Sequence, residues 1–417
     1  MGNIAKEQEV RTMRALAIAK QKRIVKRGSV WIVPSQSHSG SYVVSQSEKA
    51  GMPTWECTCP DYETRGQPCK HVIAVEIVRH RQMPDEIPAT EIKRVTYAQD
   101  WPAYNAAQVR EKECFALLLR DLCSRVESPR QEGRGRPRLP LRDIIYACAT
   151  KVYSRLCGRR AQTDIRANQA AGLSKAAPSY NTLFRYMADP ALTPILHDLL
   201  EQSALPMVGI ESNFAVDSTG FANSTFCRWV DEKYGVERKV KTWVKVHAAC
   251  GVKTQIVTSA IITDMSGADS PQFRPLIEAT AKNFKLGDVV ADKAYLSREN
   301  VAAVDRLGGV PFIPFKEGTG DGLLIRGERA PHAKLWKRLY HLFEYDREKF
   351  LRHYHARSNV ESCFSMIKAK FGASISSRCT VSQHNEALLK LLCHNVVVLV
   401  GAVFELGLQP SLARGGD

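Results

Sequence analysis

The chain has 417 residues, of which 44% are hydrophobic and 24% are charged. These proportions are ordinary for globular proteins, so they exclude a mostly disordered or collagen-like chain, and the length suits about two to four domains. Lys and Arg outnumber Asp and Glu by 59 to 43, and the net charge of +16 favours a polyanionic partner, most simply nucleic acid.

The N-terminal residues 1–27 predict a basic helix, which Gly28 ends. The start of this segment has no apolar core of the kind that a secretory signal peptide requires. We therefore expect a cytoplasmic protein, bacterial and associated with the nucleoid. Its 12 cysteines should then be reduced thiols or metal ligands rather than disulfides.

Four potential metal ligands follow two short strand-like segments. Cys57 and Cys59 form a Cys-x-Cys pair, and nine residues later Cys69 and His71 form a Cys-x-His pair. Three thiolates and one imidazole satisfy tetrahedral zinc, and a closed set of four ligands indicates a structural site. The alternative is four unrelated core residues, since cysteine is often buried. The order of ligands resembles the SWIM zinc finger, which implies an adaptor module for DNA or protein over 28–95.

A helical segment is predicted over 96–127, and a linker rich in Gly, Pro and Arg follows over 128–140. Within this linker, Arg134, Arg136 and Arg138 have the pattern of an AT-hook, an extended arm that can enter a narrow minor groove and bind DNA. The alternative is a solvated linker that happens to be basic.

A second helical region is predicted over 141–209, and we expect it to bind DNA. The segment 173–187 fits a helix-turn-helix, in which Tyr180, Arg185 and the nearby pair 159–160 would reach DNA. The alternative, which we favour for the apolar members of this segment, is that they pack in the core.

From residue 210 onward, short β-branched runs alternate with helical segments, which predicts an α/β domain over 210–405 and a loose tail over 406–417. The most apolar stretch begins at Leu388 and is interrupted by Lys390 and His394. It is too short and too polar to span a bilayer, so it predicts a buried helix, and we expect no membrane partner.

Three acids in this domain could handle phosphate chemistry. Asp217 and Asp292 each follow a short apolar run of strand type, from which a side chain can emerge into a cleft. Glu361 lies in a predicted helix. Taken singly, each acid could instead be a turn residue, a helix cap or a solvated side chain.

The surroundings of Glu361 strengthen the functional interpretation. On a helical period, Tyr354, Arg357, Glu361 and Lys368 fall within an arc of roughly 60°, so they should line one face of a single helix. A face with a phenol, a guanidinium, a carboxylate and an ammonium is a poor core face and a good phosphate-binding face. We expect the three cationic or phenolic side chains to contact DNA phosphates.

Cleavage of a phosphodiester needs an activated oxygen nucleophile and charge neutralisation at the leaving oxygen. Two Mg²⁺ ions about 3.5–4 Å apart can supply both. Because Mg²⁺ prefers carboxylate oxygens, Asp217, Asp292 and Glu361 are the candidate magnesium ligands, and Mn²⁺ should substitute.

The motif Tyr-x2-Arg-x3-Glu-x6-Lys around Glu361 resembles the C-terminal signature of insertion-sequence transposases of the DDE superfamily. The segments 216–221 and 291–295 resemble the first and second acidic motifs of that family, although Ala294 stands where the family commonly has Gly. The gaps of 75 and 69 residues between the acids also suit it. Further family-like stretches contain Lys245, His247 and Asp269, to which we assign no catalytic role.

The resemblance covers about 140–405 and implies an α/β ribonuclease H-like fold, a mixed sheet flanked by helices, preceded by a small α+β zinc finger and a helical region. It places Asp217 on the first strand, Asp292 on the fourth and Glu361 on the following helix, as the catalytic residues. It implies a DNA transposase that cuts double-stranded transposon ends and transfers them into target DNA. Because two ends are joined, we expect a homodimer or higher assembly on DNA.

Two alternatives remain open at this point. The first is a non-catalytic DNA-binding protein derived from such a transposase. The second is another ribonuclease H-like nuclease, such as a junction resolvase, whose substrate would be branched DNA rather than a specific end sequence.

Overall fold

The computed structural model describes residues 2–20, 23–36, 40–49, 52–82, 100–129, 137–223, 243–319 and 333–410. Contacts divide the chain into two compact units. The first unit comprises Met1–Ala89, Gly320–Glu328 and Ala333–Leu351, and the second comprises Thr90–Thr319, Arg329–His332 and Arg352–Asp417.

Helices occur along the whole described chain. In order they are α1 (Gly2–Lys20), α2 (Pro60–Arg65), α3 (Lys70–Gln82), α4 (Trp101–Cys123), α5 (Leu141–Ser154), α6 (Gly158–Ala170), α7 (Tyr180–Met187), α8 (Leu192–Ala204), α9 (Ser270–Ala281), α10 (Arg298–Arg306), α11 (Ala333–Tyr345), α12 (Arg347–Tyr354), α13 (Ser358–Phe371) and α14 (Thr380–Glu405). Short 3₁₀ helices lie at Leu205–Met207, Lys293–Tyr295 and His355–Arg357.

The strands form two sheets. They are β1 (Val25–Arg27), β2 (Val30–Pro34), β3 (Ser41–Lys49), β4 (Met52–Cys57), β5 (Phe214–Ala222), β6 (Trp243–Gly251), β7 (Val257–Thr263), β8 (Asp288–Ala291) and β9 (Val310–Phe312). The predicted N-terminal helix therefore ends early, at Lys20. The last part of the segment 1–27 is the strand β1, which pairs with β2 across the turn at Gly28, where φ is 59°.

The first unit is built around an antiparallel sheet in the order β1-β2-β3-β4. Strand β2 alternates, so Trp31 and Val33 point into the core while their neighbours are partly exposed. Helix α1 contacts α3 and buries one face at helical spacing, with Ala15, Ile18 and Ala19 fully enclosed. This is the small α+β module that the sequence predicts.

Helix α11 also belongs to the first unit, although its sequence lies between the second and third acidic motifs. It contacts α3. Its apolar stripe, Trp336, Leu339 and Phe343, is buried at a spacing of three and four residues. The sequence predicts one continuous domain over 210–405, whereas the structure groups part of that stretch with the finger.

The second unit contains a mixed sheet in the order β7-β6-β5-β8-β9. Strands β5, β6 and β7 pair antiparallel, while β8 pairs parallel with β5 and with β9. Helix α9 contacts β6 and β7, and α13 contacts β5 and β6. The predicted α/β class, with a mixed sheet flanked by helices, is confirmed.

Helix α14 is the centre of the helical part of the second unit, where it contacts α4, α5 and α8. Within the described residues it is the helix that is long and apolar enough to cross a membrane, but 72% of its most apolar window is buried inside the protein. Its polar residues are satisfied internally: Lys390 donates to the carbonyls of Gly372 and Ser374, at 2.8 and 2.6 Å. The prediction of a buried helix is confirmed.

Candidate functional site

The four predicted zinc ligands lie together in the first unit. Cys57 ends β4, Cys59 caps the N-terminus of α2, and Cys69 and His71 lie at the start of α3. All four side chains are buried, and their ligand atoms lie within 4.8 Å of one another. The structure thus brings together the set that the sequence predicts.

The spacing of these atoms fits a zinc ion. The Nδ1 atom of His71 lies 3.9 Å from the Sγ of Cys57 and 3.8 Å from the Sγ of Cys69. Tetrahedral zinc, with Zn–S near 2.3 Å and Zn–N near 2.0 Å, requires ligand separations of about 3.5–3.8 Å. The other ring nitrogen of His71, Nε2, is buried and has no hydrogen-bond partner in the described part of the chain.

The crowded thiols of this set compete for protons, which favours a bound cation. The hydrogen bond between Cys57 and Cys69 raises the pKa of Cys57 and lowers that of Cys69, while burial is the main cause that raises the pKa of Cys59. The three thiols therefore do not all ionise on their own. A bound divalent cation compensates their charge and favours the thiolate form of each.

A short helix sets the distance between the two ligand pairs. Helix α2 starts at Pro60, and the backbone N–H of Tyr62 donates to the Sγ of Cys59 at 3.4 Å. Gly66 ends the helix in the left-handed region, at φ 62°, where a side chain would be strained. The chain thereby turns back so that Cys69 reaches the first pair.

Asp217 lies in the middle of β5, not at the end of a strand as its apolar run suggested. Its side chain is 17% exposed; Oδ1 accepts a hydrogen bond from the Ser218 backbone N–H at 2.8 Å, and Oδ2 accepts one from Arg357 Nη2 at 3.0 Å. Burial raises the pKa of Asp217. The two hydrogen bonds and the positive charge of Arg357 lower this pKa, but the effect of burial is larger.

Arg357 joins two of the predicted acids. The same Nη2 atom lies 3.0 Å from Oδ2 of Asp217 and 3.0 Å from Oε1 of Glu361. Burial lowers the pKa of Arg357, because it disfavours the charged form. The nearby Asp217, Tyr354 and Glu361 side chains raise this pKa, and their effect is larger. The guanidinium therefore stays protonated and neutralises part of the carboxylate charge.

The predicted single helix from Tyr354 to Lys368 is interrupted. Tyr354 ends α12, residues His355–Arg357 form a 3₁₀ turn, and α13 begins at Ser358. The 3₁₀ turn has three residues per turn, so it shifts the angular positions of the motif residues from those of a uniform helix. Arg357 and Glu361 still lie on one side, 3.0 Å apart. Arg357 instead reaches toward β5 from the junction between the two helices.

Asp292 follows β8 directly and caps the 3₁₀ helix Lys293–Tyr295, whose first backbone N–H donates to its carboxylate. Since Val216 pairs with Ala291 in the parallel ladder, Asp217 and Asp292 are adjacent on neighbouring strands. Tyr354 lies close to both: burial is the chief cause that raises its pKa, and the charges of both aspartates add to the effect.

The three acids do not converge as tightly as the zinc ligands. Among the described residues, the Cys/His cluster is the group in which three or more ligand atoms lie within 4.8 Å of each other. Glu361 is 57% exposed and reaches the other acids through Arg357. The structure thus places Asp217 beside Asp292 and connects Glu361 to Asp217 through the arginine.

Two family models match parts of the chain. Residues 209–396, which include all three acids, match the model of the transposase DDE domain. Residues 42–80, which include all four zinc ligands, match the SWIM zinc finger. The chain carries a transposase DDE domain and a SWIM zinc finger. Both resemblances predicted from the sequence are therefore confirmed, and no solved structure matches the chain.

Lys368, the last motif residue of the transposase domain, lies on α13 with its ammonium 5.9 Å from the centre of the Phe221 ring. Burial lowers the pKa of Lys368. No ion pair with Lys368 is formed among the described residues, so the structure does not place it with the acids directly.

The helical region before the DDE domain contains a compact pair, α6 and α7. Leu183 and Met187 are buried, as the core interpretation predicts, but Phe184 is 46% exposed. Arg159 lies over the ring of Tyr180, with its guanidinium carbon 5.7 Å from the ring centre. The apolar members thus mostly pack inward, while arginines and aromatic rings remain near the surface.

The linker prediction falls largely outside the described residues. Arg134 and Arg136 lie outside them, whereas Arg138 is described and exposed. The AT-hook therefore stays a prediction.

One supporting pair was missed in the sequence. His353, next to Tyr354, contacts Oδ2 of Asp288 through Nδ1 at 2.7 Å, and its ring stacks on Phe312 with centres 4.2 Å apart. Both polar side chains are almost fully buried. The pair fixes the end of α12 against β8 and β9, and no local pattern around either residue indicates the contact.

Proposed function

We propose that this chain is a DNA transposase that cuts DNA at transposon ends and transfers the resulting 3′-hydroxyl ends into target DNA. The observation that carries the proposal is the contact of Arg357 with both Asp217 and Glu361. It unites residues of two acidic motifs that are 140 residues or more apart in the chain. The match to a transposase DDE domain supports the same conclusion.

Asp217, Asp292 and Glu361 would hold magnesium ions. Their oxygen donors suit a hard cation, and Mn²⁺ accepts the same ligands. Bound Mg²⁺ would supply an activated oxygen nucleophile and would stabilise the leaving oxygen. Asp217 contributes a carboxylate held in place by Ser218, while the exposed Glu361 side chain can adjust its position.

Arg357, Tyr354 and Lys368 would contact the DNA phosphates beside the cleaved bond. The Nε–H of Arg357 is buried and has no hydrogen-bond partner within the described residues. This donor is closed to DNA as well as to water, so a phosphate would bind the exposed part of the Arg357 side chain, which is 22% accessible. Tyr354 can donate through its hydroxyl, and Lys368 offers a single positive charge.

The rest of the chain would bind double-stranded DNA. The net charge of +16 suits a long phosphate backbone, and the exposed arginines of α6 and α7 add to it. Arg134, Arg136 and Arg138 would form an AT-hook arm, and the finger would bind DNA or assist assembly. Because two ends must be joined, the active form would be a homodimer or a larger complex on DNA, in the bacterial cytoplasm.

The test is cleavage of labelled DNA that carries the terminal inverted repeats flanking the gene. Wild-type protein should nick these ends with Mg²⁺ or Mn²⁺, and Ca²⁺ should permit binding with little cleavage.

Loss of any one metal ligand should abolish nicking and leave binding to the ends largely intact. The three variants to test are Asp217→Ala, Asp292→Ala and Glu361→Ala. Asp198→Ala, which removes an exposed acid from α8, is the matched control and should cleave normally.

Each alternative function gives a different result in this assay. Wild-type protein that binds ends but never cuts them would support a non-catalytic DNA-binding protein. Cutting of branched DNA without preference for the ends would support a junction resolvase. Full activity of any one acid variant would remove that residue from the metal site.

A further inference from the structure

Behind the proposed active site, polar side chains fill the opposite face of the sheet. Successive side chains of a strand point to opposite faces, so Ser218 is turned away from the face of Asp217 and Arg357. Ser218 pairs with His247 of β6, and Lys245 lies on the same face two residues earlier. Asp269 lies just before α9, and its carboxylate contacts the side chains of Lys245 and His247.

The contacts of Asp269 are short and mostly buried. Its Oδ1 atom lies 2.8 Å from Lys245 Nζ and 3.3 Å from Nδ1 of the fully buried His247. Lys245 also donates to the carbonyl of Gly267 at 2.9 Å, and His247 Nε2 lies 3.0 Å from the Thr263 hydroxyl. Lys245 Nζ therefore has two close oxygen neighbours and His247 Nε2 has one, whereas His247 Nδ1 and Asp269 Oδ1 lie close together without a well-aligned hydrogen bond in the described part of the chain.

Asp269 is connected to the first acid through His247, which is the cross-strand partner of Ser218. Burial opposes ionisation of Asp269, but the neighbouring Lys245 ammonium and Ser218 lower its pKa below the usual range. The backbone N–H of Ser218 in turn donates to Oδ1 of Asp217 at 2.8 Å. A charged group on one face thus packs against the strand pair whose Ser218 N–H orients the carboxylate on the other face.

A second connection leads to the turn after Asp292. Asn300, buried in α10, donates from its side-chain amide to the carbonyl of Tyr295 at 2.7 Å. The same amide lies 3.3 Å from the carbonyl and 3.2 Å from the hydroxyl of Ser270, the residue after Asp269. The segment that carries Asp269 is therefore tied to the 3₁₀ turn that Asp292 caps.

We propose that Asp269 is a positioning residue that orients Asp217 and Asp292 for metal binding from the opposite face of the sheet. The inference rests on the proposed function, since it concerns the same two carboxylates. A charged pair such as Lys245 and Asp269 is weak evidence for stability, because apolar residues of similar volume often serve a buried position as well. Its connections to both acids give the pair a role that apolar residues would not fill.

The experiment separates positioning from simple charge compensation. Asp269→Asn keeps the shape but leaves Lys245 without its charged partner, whereas Asp269→Asn combined with Lys245→Met removes both charges. Mn²⁺ affinity of the full chain is measured by electron paramagnetic resonance, alongside the thermal midpoint. We expect both variants to bind Mn²⁺ roughly 10-fold to 100-fold more weakly than wild type, the range typical of lost partners of metal ligands. The double variant should recover thermal stability but not Mn²⁺ affinity.

Two reference variants make the outcomes distinct. Asp264→Asn removes an exposed acid from the same loop and should leave Mn²⁺ affinity unchanged, whereas Asp217→Ala should lower it. Wild-type Mn²⁺ affinity in the double variant would overturn the inference, even if Asp269→Asn alone fails to fold. If Asp217→Ala also binds Mn²⁺ as wild type does, the proposed metal site itself is wrong. If the Asp269 variants bind Mn²⁺ as wild type does but Asp217→Ala binds it more weakly, the proposed function stands and the positioning role of Asp269 is wrong.

Discussion

Arg357 shows how one side chain can organise the acids of the transposase domain. Its Nη2 atom lies 3.0 Å from both Asp217 and Glu361, so a single guanidinium nitrogen serves two carboxylates. The motif indicates that Arg357 and Glu361 are near in space, because they are one helical turn apart. The motif does not indicate the contact between Arg357 and Asp217, since that contact depends on how α13 packs against β5.

This geometry predicts that Arg357→Ala and Arg357→Lys differ. Alanine leaves the mostly buried Asp217 without its charged donor, which should destabilise the fold by roughly 1–2 kcal/mol. Lysine keeps the charge but has no planar fork, so it should preserve stability better than activity. We expect nicking in single-turnover assays to fall about 10-fold to 100-fold in both variants, with alanine the more severe.

The control for this prediction is Arg352→Ala, which removes an exposed arginine from α12. It should retain nicking, because its side chain is not placed among the acids. Wild-type nicking rates for Arg357→Ala would contradict the role that the contact assigns.

At the scale of elements, the finger is built from short segments that meet at four potential metal ligands. The ligands come from the end of β4, the start of α2 and the start of α3, and the helix between the pairs is only six residues long. Three of the ligands, Cys57, Cys59 and Cys69, are part of the buried core of this unit, and bound zinc typically supplies folding free energy in small metal-binding modules.

We predict that wild-type protein contains one zinc ion per chain and that Cys59→Ser loses it. The finger should unfold locally, while the second unit should keep its structure because it has its own sheet and helical core. Metal analysis gives the zinc content, and hydrogen exchange gives the local stability. Amides of α11 should exchange faster in the variant, since α11 packs against α3, while those of α14 should not change.

The matched control is Cys157→Ser, which changes an exposed cysteine outside the finger. It should keep both zinc and the exchange pattern. Fresh wild-type protein with almost no zinc would contradict the prediction, as would Cys59→Ser protein that retains the metal.

Over the whole molecule, the excess of basic residues should govern DNA affinity. Neutralising Z phosphates releases counterions, and the logarithm of the affinity falls with the logarithm of salt with a slope of about −0.9Z. If Arg134, Arg136 and Arg138 each contact a phosphate, changing all three to Gln should reduce the steepness of that slope by about 2.7.

A control with the same charge change tests whether position matters. Replacement of the exposed Lys282, Lys285 and Arg306 by Gln also removes three positive charges, but away from the linker. We expect a smaller change in slope, measured by fluorescence anisotropy at several salt concentrations. Equal slopes for wild type and the linker variant would mean that the linker is a passive tether.

The amino-acid sequence by itself determined the α/β class of the second domain and the Cys/His set of the finger, and it selected the three acids as candidates. These features are local: the four ligands lie within 15 residues, and each acid stands in a short pattern of neighbours. The alternation of apolar runs and helical segments likewise reports local backbone preference, which is why the α/β class could be predicted.

Only the tertiary structure decided which of these pieces meet. The contact of Arg357 with Asp217, the grouping of α11 with the finger and the network around Asp269 join segments far apart in the chain. The 3₁₀ turn at His355–Arg357, which interrupts the predicted helix, was equally invisible in the sequence. Such features depend on sheet register and side-chain packing, which arise from the whole fold, so no short pattern of residues encodes them.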